Sequence, residues 1–165
     1  MTVARVGQPG IEATSQLADQ TQVAREARTR MVVATRELEN ALAAASWHRE
    51  DLWHQHVHDT LVVLQTSLSD TCNSANSEES LMSEVVTESP RLESKVRRIR
   101  AEYADLENHV ESLQACFSKP AENTEDDVAD IRQRLGWLIT ALKHVQSKET
   151  ELLYEAFQVD IGHCD

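Results

Sequence analysis

The sequence predicts an all-α protein, folded as an antiparallel up-down four-helix bundle. Three observations carry this. Between Ile11 and Ile161 the only glycines and prolines are Pro90, Pro120 and Gly136, far too few for the turns of an all-β or α/β domain. Apolar residues recur at alternating steps of three and four, the spacing of a helix face. Hydrophobic residues make up 41 % of the 165-residue chain, enough to build a core.

Residues 1–10, with Gly7, Pro9 and Gly10, read as a flexible leader. They lack the charged stretch followed by an apolar one that marks a signal peptide. The first helix spans 11–45, with an alanine-rich face of Leu17, Ala24, Ala27, Met31, Leu38 and Leu42; small residues there allow close packing. The second starts at Trp47 and shows the stripe Trp53, Val57, Leu61, Leu64 and Leu68. The polar stretch from Cys72 to Ser77 interrupts this segment, either as a full turn or as a break within one helix, and helical character resumes over 78–87 with Leu81, Met82, Val85 and Val86.

Ser89 as N-cap and Pro90 at the first helical position start a helix over 90–117. Its face is Leu92, Val96, Ile99, Tyr103, Leu106, Val110, Leu113 and Phe117, and Lys119 and Pro120 end it. The last helix, 124–158, opens with Thr124 as N-cap and Glu125, Asp126 and Asp127 in its first turn, where acids favour the helix dipole. Its heptad-like seam runs Val128, Ile131, Leu135, Leu138, Leu142, Val145, Glu149, Leu152 and Ala156, with Glu149 the one polar member. The helices form one domain over 11–160, followed by a short tail, 161–165.

Charge and composition exclude several function classes. The net charge of −12 and an aromatic content of 4 % argue against a nucleic-acid partner, which a polyanion and the lack of stacking surface both disfavour. No apolar run approaches the roughly 20 residues of a membrane span. Cys72, Cys116 and Cys164 are odd in number and widely spaced, so neither a disulfide framework nor a zinc knuckle is expected and a reducing, cytoplasmic setting is. A Gly-rich phosphate loop, a GxSxG elbow and an HExxH motif are all missing. The chain therefore reads as a non-enzyme with no catalytic residues.

The landmarks resemble the hemerythrin-like, HHE cation-binding domains. The residues that carry the resemblance are Trp53, Val57, Leu64 and Leu68, then Ser77-Glu78-Glu79-Ser80-Leu81-Met82, then Pro90-Arg91-Leu92, Val96, Ile99-Arg100-Ala101-Glu102-Tyr103 and Leu106. It ends with Glu149, Glu151-Leu152-Leu153 and Tyr154-Glu155-Ala156, and spans about two-thirds of the chain. Such domains hold metal through inward H…E, EH and HxxxE positions. Here Thr71 stands at the first histidine site and Glu78 is the carboxylate that follows; Glu102-Tyr103 replaces the Glu-His pair, and Val145 stands four residues before Glu149. Neither threonine nor valine replaces an imidazole. The resemblance thus implies a bundle whose di-iron site is depleted, with Glu78, Tyr103 and Glu149 as remaining candidates.

Each of the three also has a structural reading. Tyr103 fits a core aromatic whose hydroxyl reaches a partner. Glu149 fits a seam carboxylate paired with Arg or Lys or at a wet part of the bundle. Glu78 fits a first-turn carboxylate after Ser77. Among the clustered histidines, His54 and His58 are four apart, with Glu50 four before His54. Together they make a surface set for zinc or nickel, or a solvated face. Trp137 and His144, seven apart on the last helix, suggest a partner or homodimer contact.

The function expected is therefore a binding or regulatory module without a bound cofactor. The alternatives are an iron- or zinc-binding hemerythrin-like protein and a helical scaffold that joins another chain.

Overall fold

The computed structural model describes residues 9–44, 50–78, 80–117 and 125–158, of which 9–21, 24, 50, 125–127 and 158 are described by their backbone alone. It contains α1 (Pro9–Ala43), α2 (Glu50–Asn76), α3 (Leu81–Glu88), a 3-10 turn (Pro90–Leu92), α4 (Glu93–Phe117) and α5 (Glu125–Gln158). No strand occurs among the described residues, so the all-α class holds. None of the helices is long and apolar enough to cross a membrane, as far as the described residues go.

The four long helices α1, α2, α4 and α5 share one core. α1 packs on α2, α2 on α4, α4 on α5 and α5 on α1, while the short α3 leans on α2, α4 and α5. The expected seams of α2, α4 and α5 are buried. Leu61, Leu64 and Leu68 meet Ile99, Leu106 and Leu113, together with Leu135, Leu138 and Leu142, in a single cluster. α1 contributes Ala27, Met31, Ala34, Leu38 and Ala41. Leu42 is half-buried, whereas the side chains of Leu17 and Ala24 lie outside the described residues. Small residues every seven positions bring α1 close to its neighbours, as its composition predicts.

The connection between α2 and α4 differs from expectation. α2 does not break at Cys72; it continues to Asn76. Asn and Ser are poor helix formers, but Thr71 is buried and Cys72 and Ala75 pack on the core. That packing outweighs the few tenths of a kcal/mol that each unfavourable propensity costs. The turn falls instead at Ser77–Ser80, where serine hydroxyls replace backbone partners. Ser80 Oγ accepts from the Ser83 amide at 3.1 Å and donates to the Ala75 carbonyl at 3.1 Å, and Ser83 Oγ donates to the Ser77 carbonyl at 2.8 Å.

Ser80, not Ser77, is thus the N-cap of α3, and Glu84 is its first-turn acid. Glu78 lies exposed in the preceding turn. Pro90 opens the 3-10 turn rather than an α-helix, and Ser89 makes no side-chain cap there. At the chain start, Pro9 and Gly10 already belong to α1, which shortens the expected leader; residues 1–8, Thr124 and the 161–165 tail lie outside the described residues.

The Tyr103–Glu149–Arg28 cluster

Glu149 is the one buried carboxylate among the described residues, at 6 % exposure. It faces inward because it occupies a seam position of α5, two turns beyond Leu142 and one turn beyond Val145. A carboxylate in such a place must be paired or become neutral. Tyr103 of α4 donates its hydroxyl to Glu149 Oε2 at 2.7 Å, and Arg28 of α1 donates Nη2 to Oε1. Three helices therefore meet on one carboxylate, and each of its oxygens has a donor.

The electrostatics follow from this geometry. Burial pushes the Tyr103 phenol far above the ordinary tyrosine range, and the adjacent Glu149 carboxylate pushes it further. Tyr103 is a hydrogen-bond donor at any ordinary pH, not a base. On α2 the Cys72 thiol is pushed up to about 11, first by burial and then by Glu107. A thiol held protonated is a poor nucleophile and a poor metal ligand. Thr71 is buried, with its hydroxyl committed to the Ser67 carbonyl at 2.8 Å, and Val145 is buried and apolar. Just outside the cluster, Lys148 of α5 pairs with Glu102 of α4 at 2.6 Å.

Of the three residues expected at the metal seam, Tyr103 and Glu149 come together and Glu78 does not join them, since it is exposed in the turn before α3. Among the described residues no group of three or more His, Cys, Asp or Glu side chains could hold a metal ion. The chemistry of Tyr103, Glu149 and Arg28 agrees with that. A guanidinium on the carboxylate supplies the positive charge that a cation would otherwise supply.

The histidine set is arranged differently from a solvated face. His54 and His58 both pack on Phe117 of α4, with ring centroids 5.4 and 6.4 Å away. His54 also meets Trp53 edge-on at 5.2 Å, and its Nε2 is buried. Both rings thus belong to an aromatic plug joining α2 to α4, capped by the Arg132 guanidinium over Trp53 at 5.3 Å; the Glu50 side chain lies outside the described residues. Trp137 is exposed, and its partner is His109 of α4, at 4.3 Å and a 32° tilt. His144 is exposed as well.

Sequence reasoning missed Arg28. Its signal was available, because a glutamate on an apolar seam requires a partner and Arg28 sits on the α1 face next to Ala27. Which of the basic residues serves that role is decided only when α1 lies against α5. No known protein family, curated protein or solved structure matches the chain.

Proposed function

We propose that the chain is an up-down, antiparallel four-helix bundle of hemerythrin-like type that acts as a non-catalytic binding or regulatory module, its metal centre depleted. Contacts along each helix pair support the topology. Trp53 Nε1 donates to Ala41 and Arg30 reaches Asp70 between α1 and α2, while Lys95 meets Glu155 and Arg134 meets Ser112 between α4 and α5. In both pairs the residue numbers fall along one helix as they rise along the other. The thiols Cys72 and Cys116 are free, which favours a reducing, cytoplasmic compartment.

The observation that carries the reading is the commitment of Glu149. Its two oxygens accept from Tyr103 and Arg28, and the positions where the resembled family has imidazoles are Thr71, Tyr103 and Val145. Such a site has a filled charge balance and no nitrogen donor. An iron- or zinc-binding protein is the competing reading, and metal content separates the two.

Protein expressed without a histidine tag and analysed by mass spectrometry for metals should carry far less than stoichiometric iron or zinc. Two irons per chain would overturn the depleted-site reading. The triple substitution Thr71→His, Tyr103→His and Val145→His should raise iron uptake. A triple variant with native helix content that takes up no iron would remove the hemerythrin-like assignment itself.

A further inference from the structure

A ladder of ion pairs crosses the outer side of the contact between α4 and α5. Lys95 and Arg91 of α4 both reach Glu155 of α5, at 2.5 and 2.9 Å. Further along, Glu102 of α4 accepts from Lys148 of α5 at 2.6 Å. Arg98 and Glu151 stand between these two rungs. Arg98 is three residues after Lys95 and four before Glu102, while Glu151 is three after Lys148 and four before Glu155. The rungs run in opposite senses along the two helices, so Arg98 and Glu151 face each other at the height of a further rung. That rung is open. Neither side chain makes an ion pair with any described residue, and Glu151 accepts instead from Ser147 of its own helix at 3.3 Å.

A cavity of about 210 Å³ lies at the open rung, lined by Arg98 and Glu151 and floored by their chain neighbours Ile99 and Leu152. The stems of Lys95 and Lys148 extend this aliphatic surface. The cavity is smaller than the roughly 300–1,000 Å³ that drug-sized ligands occupy, so it suits a small metabolite. Its charges are selective. Lys95, Glu155 and Lys148 are already matched within the two closed rungs. What remains is one guanidinium and one carboxylate, both exposed. A simple anion would be opposed by Glu151 and a simple cation by Arg98, whereas a ligand carrying both charges satisfies both. An exposed Arg–Glu pair gains little in water, so little is lost when the two side chains close on a ligand instead of on each other.

We propose that this cavity between α4 and α5 binds a free α-amino acid with an aliphatic side chain. The ligand carboxylate accepts from the planar fork of Arg98, a geometry that guanidinium suits better than ammonium. Its ammonium donates to Glu151, and its side chain lies on Ile99 and Leu152. The inference rests on the binding-module reading and deepens it by naming a ligand class. It draws nothing from the depleted metal centre, so amino-acid binding and metal content can fail separately.

The test is titration of the untagged, ¹⁵N-labelled full chain with L-leucine, L-valine and L-methionine, followed by amide chemical shifts. Saturable shifts are expected for at least one of them, with a Kd of about 1 mM or tighter, centred on residues 95–102 and 148–155. The leucine analogues 4-methylpentanoate, which lacks the ammonium, and 3-methylbutylamine, which lacks the carboxylate, should each bind about tenfold or more weakly, because each leaves one charged group of the site unmatched. Arg98→Ala and Glu151→Gln should each weaken amino-acid binding by a similar factor with unchanged helix content, since both side chains are exposed. Absence of saturable binding by all three amino acids overturns the proposal. So do shifts centred on another part of the bundle, or affinities indifferent to both substitutions. If 4-methylpentanoate binds as well as leucine, the zwitterion assignment is rejected and the site is one for a simple carboxylate.

Discussion

Removing the Tyr103 hydroxyl tests whether the cluster on Glu149 is an energetic unit. Tyr103→Phe keeps the ring in place, so it makes no cavity, but it deletes the 2.7 Å hydrogen bond to Glu149 Oε2. A hydrogen bond to a charged acceptor contributes about 1.5–3 kcal/mol, and the loss is felt in full where the acceptor is desolvated. Glu149 is desolvated, at 6 % exposure. The Arg28 side chain is 38 % exposed, so its ion pair is partly screened and only part of the loss is offset by it. For a chain of this size the expected drop in Tm is about 3–12 °C.

The reverse perturbation, Glu149→Leu, leaves the phenol as a buried donor without its acceptor and should cost about 1–3 kcal/mol. Replacing both partners removes the buried phenol and its acceptor together, and the loss of the half-exposed Arg28 partner is common to both Glu149 variants and cancels in the cycle. The double variant Tyr103→Phe/Glu149→Leu should therefore lose much less than the sum of the singles, with a coupling energy of roughly 1.5 kcal/mol or more. Urea unfolding of the four proteins, followed by far-UV circular dichroism, gives the cycle directly. Additive losses within about 0.5 kcal/mol would refute the claim that the two side chains act as a unit.

Two further outcomes follow from the shifted groups. The folded-state pKa of Tyr103 lies above its unfolded value, so the stability it contributes is fully present below about pH 10, the ordinary phenol value, and is lost as pH rises beyond it. In an alkaline titration the Tyr103 phenolate should appear only together with loss of helix, and Tyr103→Phe should delete that step; two phenolates per chain in a fully helical protein would contradict this. In a variant with Cys116→Ser and Cys164→Ser, the remaining Cys72 thiol, pushed up to about 11 from 9.0, should react with a disulfide reagent at mildly alkaline pH about a hundredfold more slowly than a free cysteine, in proportion to its thiolate fraction. Labelling as fast as a free cysteine would show that the thiol is neither desolvated nor influenced by Glu107.

By itself the sequence determined the helical class and the inward faces of α2, α4 and α5. Those properties are local. Scarce glycine and proline leave few places to turn, and a step of three and four places Leu92 through Leu113, or Ile131 through Ala156, on one side of a helix whatever it packs against. The buried glutamate could also be read from its place on the α5 seam, and so could its need for a partner. Tertiary structure decided the rest. α2 passes through Cys72–Asn76, against local propensity, because Thr71, Cys72 and Ala75 gain packing that an isolated segment lacks. Ser80 rather than Ser77 caps α3, because its hydroxyl can reach both the Ser83 amide and the Ala75 carbonyl only after the turn has formed. The pairing of Arg28 with Glu149 and of His109 with Trp137 spans separate helices. A periodic pattern specifies which face of a helix turns inward, but not which neighbour it meets or at what height. Those are set when the helices dock, by the buried area and polar satisfaction of the whole core.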